Sequence, residues 1–228
     1  MPSPNTPCVP LRLYADRYLP LWSTNTLCEL TQISLLLPVF ALSDIKYSIN
    51  KDDRLGNFCD LWDDFAGDNG GQSVLASKVL NHSIWEFIVN PTIREVYRRI
   101  FKTVRTGRVL KFNFRCDSPH HKRFMEMILV AGHDRSIDFT TKTLSIEKRA
   151  TPIFLDPTKN YRFELVTLCS WCSRIKVNSK WQDLDIAVRN LRLLEEDILP
   201  NITHAMCEDC FSNIQSTIDQ PDPGHNGR

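Results

Sequence analysis

Residues 91–116 read PTIREVYRRIFKTVRTGRVLKFNFRC, and the hydrophobic period changes partway along them. Ile93, Val96, Tyr97, Ile100, Phe101 and Val104 follow the i, i+3, i+4, i+7, i+8, i+11 spacing. A turn of 3.6 residues brings all six onto one face, so the spacing predicts a buried stripe on an amphipathic helix over 92–106. Pro91 suits its first turn and Gly107 its stop, while Arg94, Arg98, Lys102 and Arg105 line the other face. From Leu110 the period drops to two: Leu110, Phe112, Phe114 and Cys116 share one side of a strand.

Downstream, RFMEMILV (123–130) alternates through Met125, Met127 and Leu129, and SIDFTTKTLSIEKR (136–149) is a third strand rich in Thr and Ile. Upstream, IKYSIN (45–50) places Ile45, Tyr47 and Ile49 on one face. The turn-like KDDRLG (51–56) follows, then NFCDLW (57–62), so the two runs read as short strands joined by a tight turn. LWDDFAGDNGG (61–71) and SVLASKVL (73–80) are short helical stretches, and NHSIWEFI (81–88) is an apolar connector. The order predicts an α+β domain over 45–150: a five-stranded antiparallel sheet, with helices inserted after its second strand and packed on one face.

Beyond this domain lie TLCSWCSRIKVNSKWQDLD (167–185) and ITHAMCEDCF (202–211). Each CxxC turn offers two sulfurs on one side, and two such turns can close four thiolates around a tetrahedral zinc ion. Cys169, Cys172, Cys207 and Cys210 are therefore the expected ligands of a structural zinc in a module over 151–214, with helix and turn material between the pairs. A module this small needs such a staple. Replacing Cys207 is expected to loosen it while leaving 45–150 folded on its own core. His204 is placed outside the ligand set, as a hydrogen-bonder to the ligands or to the structure around them. A redox pair fits less well, since neither CxxC lies in a recognisable parallel-sheet pattern, and no HxE or PCxxC of a zinc deaminase is present.

Bulk composition narrows the function classes. The net charge is +1, with 42% hydrophobic and 24% charged residues, so the whole chain is not a polyanion binder by bulk charge. Residues 45–150 carry 18 Lys+Arg against 13 Asp+Glu, whereas 151–228 carry 8 against 11. No run of apolar residues is long enough for a membrane span, and the best run, Ile33–Leu42, contains Pro38. Asp16 and Glu29 argue against a signal peptide, so the expectation is a cytoplasmic protein whose thiols are not a disulfide framework. Residues 1–44, with Pro2, Pro4, Pro7, Pro10, Pro20 and Pro38, read as an irregular or partner-binding arm, and 215–228 as a disordered tail.

Other chemistry is sparse. No Gly-rich phosphate loop and no GxSxG elbow is present. His120 and His121 are adjacent and point to opposite faces of a strand. Asp63 and Asp64 suit a helix first turn, and Cys116-Asp117-Ser118-Pro119 reads as a turn. Cys59 and Cys116 read as small hydrophobes in strand runs, and Cys8 and Cys28 form no ligand set. Residues 94–123 hold ten Lys+Arg against two acidic residues, but their aromatic residues fall on the buried stripe, so a solvated basic face is expected ahead of a nucleic-acid interface.

The element order resembles a PAS domain. NFCDLWDDFAGDNGG, NHSIWEFI and FNFRCDSPHHKRFMEM resemble a group of small bacterial PAS-like proteins with a related FRCDSP…RRFMEM signature, which also end in C-x-W-C…R…W…LP…H…C-x-x-C. The resemblance covers about residues 45–212. It implies a sensory or signal-transduction protein acting through a homodimer or a signalling partner, and with no open metal position or nearby base in the sequence no catalytic activity is expected. It also implies a cleft between sheet and helices for an unidentified small ligand. A nucleic-acid-binding regulator using the zinc module and the basic helix face is the alternative.

Overall fold

The computed structural model describes residues 44–69, 71–117, 121–149, 160–190 and 198–220. The fold is mixed α+β. Strands β1 (Ile45–Ile49) and β2 (Leu55–Gly56) precede α1 (Leu61–Asp68), the four-residue α2 (Ala76–Val79) and the long α3 (Pro91–Val104). Strands β3 (Leu110–Arg115), β4 (His121–Ala131) and β5 (Ile137–Lys148) then complete a five-stranded sheet in the order β2-β1-β5-β4-β3, antiparallel throughout.

The period change at 105–110 is the hinge of the structure. Asn90 caps α3, its Oδ1 accepting the Ile93 N–H at 3.1 Å, and Pro91 fills the first turn, where a missing N–H costs nothing. Gly107 ends the turn after α3 at φ 96°, a left-handed conformation glycine adopts without strain. Ile93, Val96, Ile100, Phe101 and Val104 are buried against the sheet and Tyr97 packs at the margin. Leu110, Phe112, Met127, Leu129, Ile137 and Phe139 meet them from the sheet side.

Two local expectations are corrected. The second strand is Leu55–Gly56, inside the stretch read as a turn, and NFCDLW does not form a strand. The left-handed Asp53 (φ 59°) turns the chain early and Asn57 (φ 50°) ends the pairing, short polar residues that tolerate this conformation. Cys59 thus lies between β2 and α1, its Sγ accepting the Lys46 N–H at 3.2 Å.

The second correction concerns the C-terminal third. It holds a four-stranded sheet, order β8-β7-β6-β9, from β6 (Asn160–Cys169), β7 (Ile175–Val177), β8 (Lys180–Gln182) and β9 (Ile198–Ala205), with β6 and β9 parallel. Pro200 disguised β9, but an edge strand tolerates proline. Helices α4 (Leu184–Asn190) and α5 (Glu208–Asp219) complete the described residues. Helix α5 runs past Gln215 into the stretch expected to be a disordered tail, because Ile214 and Ile218, one turn apart, are both buried.

The two sheets share a core. Cys169, Trp171, Cys207, Cys210, Ile214 and Ile218 belong to the same buried cluster as Phe112, Val96 and Phe139. Trp171 packs tilted against Phe112 at 4.8 Å and Tyr97 at 5.8 Å, and its carbonyl accepts the Arg115 N–H at 2.8 Å from the edge strand β3. Between the first sheet and its helices, Tyr47 stacks on Phe139 (4.4 Å) and meets Trp62 edge-on (5.2 Å), while Phe101 meets Phe139 at 5.8 Å. These rings pack against one another between the sheet and its helices. The expected arm at 1–44 lies almost wholly outside the described residues, as does the tail from 221.

Candidate metal centre

Strand β6 delivers Cys169 at its last residue, and a tight turn brings Cys172 back beside it. Cys169 N–H donates to the Arg174 carbonyl at 2.7 Å, and Ser173 N–H returns to the Cys169 carbonyl at 3.0 Å, with Ser173 at φ 58° closing the turn. The parallel partner β9 leads to Cys207, which caps α5, and Cys210 follows in its first turn. Ser170 N–H donates to the Ala205 carbonyl at 2.8 Å, so the two CxxC segments are stitched together by backbone.

The four Sγ atoms lie within 4.8 Å of one another. Cys172 Sγ and Cys207 Sγ are 3.8 Å apart, too far for a disulfide. A tetrahedron with Zn–S bonds of about 2.3 Å has edges of about 3.8 Å, so the spacing fits a zinc ion. Cys169 and Cys207 are fully buried, and Cys210 nearly so. Four thiolates fill a tetrahedral ion's coordination, which suits a structural site.

Charge around the sulfurs is balanced from outside. Arg174 Nε and Nη2 donate to Cys172 Sγ and Cys207 Sγ, both at 3.2 Å, and Asp209 orients the guanidinium at 2.8 Å. The positive N-terminus of α5 faces the same sulfurs. Without metal, hydrogen bonds from the Cys169 and Cys210 thiols, with Arg174, hold Cys172 well below the usual thiol range. The bond to Cys172 pushes Cys169 up to about 11.

His204 is not in the cysteine group. It lies on β9, where its carbonyl accepts from Asn90 Nδ2 at 2.9 Å, so the residue capping α3 also ties β9 to that helix. Sequence reasoning missed Arg174, Trp171 and Trp181. The last donates Nε1–H to Glu208 at 2.6 Å and so fastens β8 to α5. All three fall inside the C-x-W-C…R…W pattern, which marks the positions but not what their side chains bond.

The basic segment is mostly engaged. Arg94 donates to the Ile88 and Trp85 carbonyls, Arg99 to Gln215 and Asp219, Arg105 to Asp53, and Arg108 to the Ile218 and Thr217 carbonyls at the C-terminus of α5. Arg115 and Lys122 enter an ion network around Asp117, Asp183 and Asp185, joined by Arg149. Asp63 stands in the first turn of α1 as expected, accepting the Ala76 N–H at 2.6 Å. His121 begins β4, Cys116 is buried beside Met125, and His120, Cys8 and Cys28 lie outside the described residues.

The network predicts an acid sensitivity. Burial alone would raise the Asp183 carboxyl. The Asp185 N–H and the Arg115 and Lys122 side chains outweigh that and hold it below the ordinary carboxylate range. A depressed carboxylate stabilises the fold above its unfolded pKa, about 3.9, and that contribution is lost as pH falls through the folded value. Denaturant midpoints should therefore drop as pH is lowered below about 4. Asp183→Asn should flatten that dependence, and an unchanged slope in the variant would remove Asp183 from the account.

A groove of about 640 Å³ opens beside the cluster, its walls including Phe112, Phe124, Leu144, Trp171, Cys172 and Arg174. No helix among the described residues is long and apolar enough to cross a membrane. No protein-family model matches this chain, and no curated protein is similar to it.

Proposed function

We propose that this chain is a cytoplasmic PAS-like signal-transduction protein that acts through protein–protein contact and carries one structural zinc on Cys169, Cys172, Cys207 and Cys210. The convergence of the four sulfurs within 4.8 Å carries the zinc reading. The β2-β1-β5-β4-β3 order, with the helices inserted between β2 and β3, supports the PAS-like reading. Output through association rather than turnover fits the four-thiolate ligand set, which gives a bound zinc no open position for a substrate.

A second copy of the chain is the simplest partner. The groove beside the cluster offers apolar walls for a partner's side chains, and Leu144 on its rim is 51% exposed. The nucleic-acid alternative has less support, because seven of the ten cations in 94–123 (Arg94, Arg98, Arg99, Arg105, Arg108, Arg115 and Lys122) already have partners within the chain. The segment TQISLLLPVFALS (31–43) adds apolar residues just ahead of β1. The full chain should run as a dimer by light scattering, and a chain starting at residue 44 should lose mass or thermal stability. A truncated chain that keeps both would show that the segment is neither interface nor core.

A further inference from the structure

A second cleft, of about 330 Å³, shares no residue with the cysteine cluster or its groove. Arg98 and Lys102 enter it from α3, Arg105 from the residue just past the end of that helix, and Arg135 from the turn between β4 and β5, with Asp53 as the one carboxylate lining it. Arg98 and Lys102, four apart on α3, repel one another, and Arg105 at the C-cap adds a third positive charge to the same cleft.

The cleft is built rather than fluid. Arg105 donates to Asp53 at 2.6 Å, to the Asn50 carbonyl at 3.1 Å and to the Arg135 carbonyl at 2.9 Å. Trp85 Nε1–H occupies the other Asp53 oxygen at 2.9 Å, so this carboxylate neutralises Arg105 alone. Arg98 lies 5.4 Å over the Trp85 ring and 3.5 Å from Glu95. Asp134 and Arg135 are consecutive left-handed residues (φ 52° and 62°), a strained turn that sets Arg135 on the cleft. Among the described residues, the exposed side chains of Lys102 and Arg135 pair with no acceptor.

We propose that this cleft binds a small phosphate-bearing anion, such as a phosphomonoester or diphosphate, through Arg98, Lys102 and Arg135 over the fixed charge of Arg105. Guanidinium forks and an ammonium point charge match phosphate oxygens, and a compact multivalent anion matches the local excess of positive charge. A long polyanion fits less well, since Glu95 pairs with Arg98, and Asp52 and Asp134 adjoin the lining residues in sequence. The inference stands independently of the zinc reading.

The test titrates inorganic pyrophosphate into the full chain at constant ionic strength, with binding followed by calorimetry. One saturable site per chain is expected. The double variant Lys102→Gln/Arg135→Asn alters two exposed side chains, keeps a residue that tolerates the left-handed turn, and should weaken binding at least about tenfold. Lys111→Gln, on an exposed residue outside the cleft, should bind as the parent does. No saturable binding, or equal affinity in the double variant, overturns the proposal. So does a single-stranded oligonucleotide that binds more tightly than pyrophosphate and is weakened by the same double variant.

Discussion

A Cys207→Ser chain is expected to lose the proposed zinc and, with it, stability in both sheets together. The sequence alone suggested a separable module, whose loss would leave residues 45–150 intact. The shared core argues otherwise. Cys207 is fully buried, its N–H donates to Cys169 Sγ at 3.3 Å, and it caps the helix that carries Ile214 and Ile218 into the core. Trp171, held between Cys169 and Cys172, packs on Phe112 of β3. A metal that binds only the folded state adds its binding free energy to stability, and structural zinc sites contribute about 10 kcal/mol or more in small domains. A loss above about 4 kcal/mol is expected here. Thermal denaturation with separate probes for the two halves checks it. The account predicts one transition at lower temperature, whereas a first sheet melting at the parent temperature would restore the separable module.

Asp117→Ala should have the next largest effect. The Asp117 side chain is 4% exposed, its Oδ2 lying 2.5 Å from Arg115 Nη2 and 2.6 Å from Arg149 Nη2. Its Oδ1 accepts from Arg115 Nε at 3.1 Å and from the Arg123 N–H at 3.3 Å. Removing the carboxylate leaves two buried guanidinium groups facing each other, and breaking a buried pair in this way costs about 3–5 kcal/mol. For a chain of this size that is a fall of roughly 6–20 °C in melting temperature. Asp117→Asn, which keeps the shape and part of the hydrogen bonding, should fall between the two. An alanine variant within about 1 kcal/mol of the parent would show the network to be dispensable.

The fold was most legible where a period was long enough to count. Helix α3 and strands β3, β4 and β5 show their buried faces directly, because six apolar residues at helical spacing and alternating Phe and Met leave one solution each. Strand β2, with two residues, has no period at all, and only the left-handed Asp53 and Asn57 place it. The parallel pairing of β6 and β9 joins residues nearly 40 apart in sequence (Asn160 with Ile198), which no local pattern encodes.

At the site, the four cysteines announced themselves by spacing, since ligand chemistry demands both residue type and turn length. Arg174 did not, because an arginine near a CxxC looks like any surface cation until its Nε and Nη2 are seen on two sulfurs. Asp117 read as a turn residue, and its weight comes from Arg149, 32 positions away. Burial of the two together is a tertiary fact.

Elemental analysis of the full chain, purified in a reducing buffer without chelator, decides whether the four cysteines hold a metal. The account predicts about one zinc per chain, lost when Cys169, Cys172, Cys207 or Cys210 is replaced by serine and retained when Cys59 or Cys116 is. Less than about a tenth of an equivalent of any metal in the parent protein would contradict it.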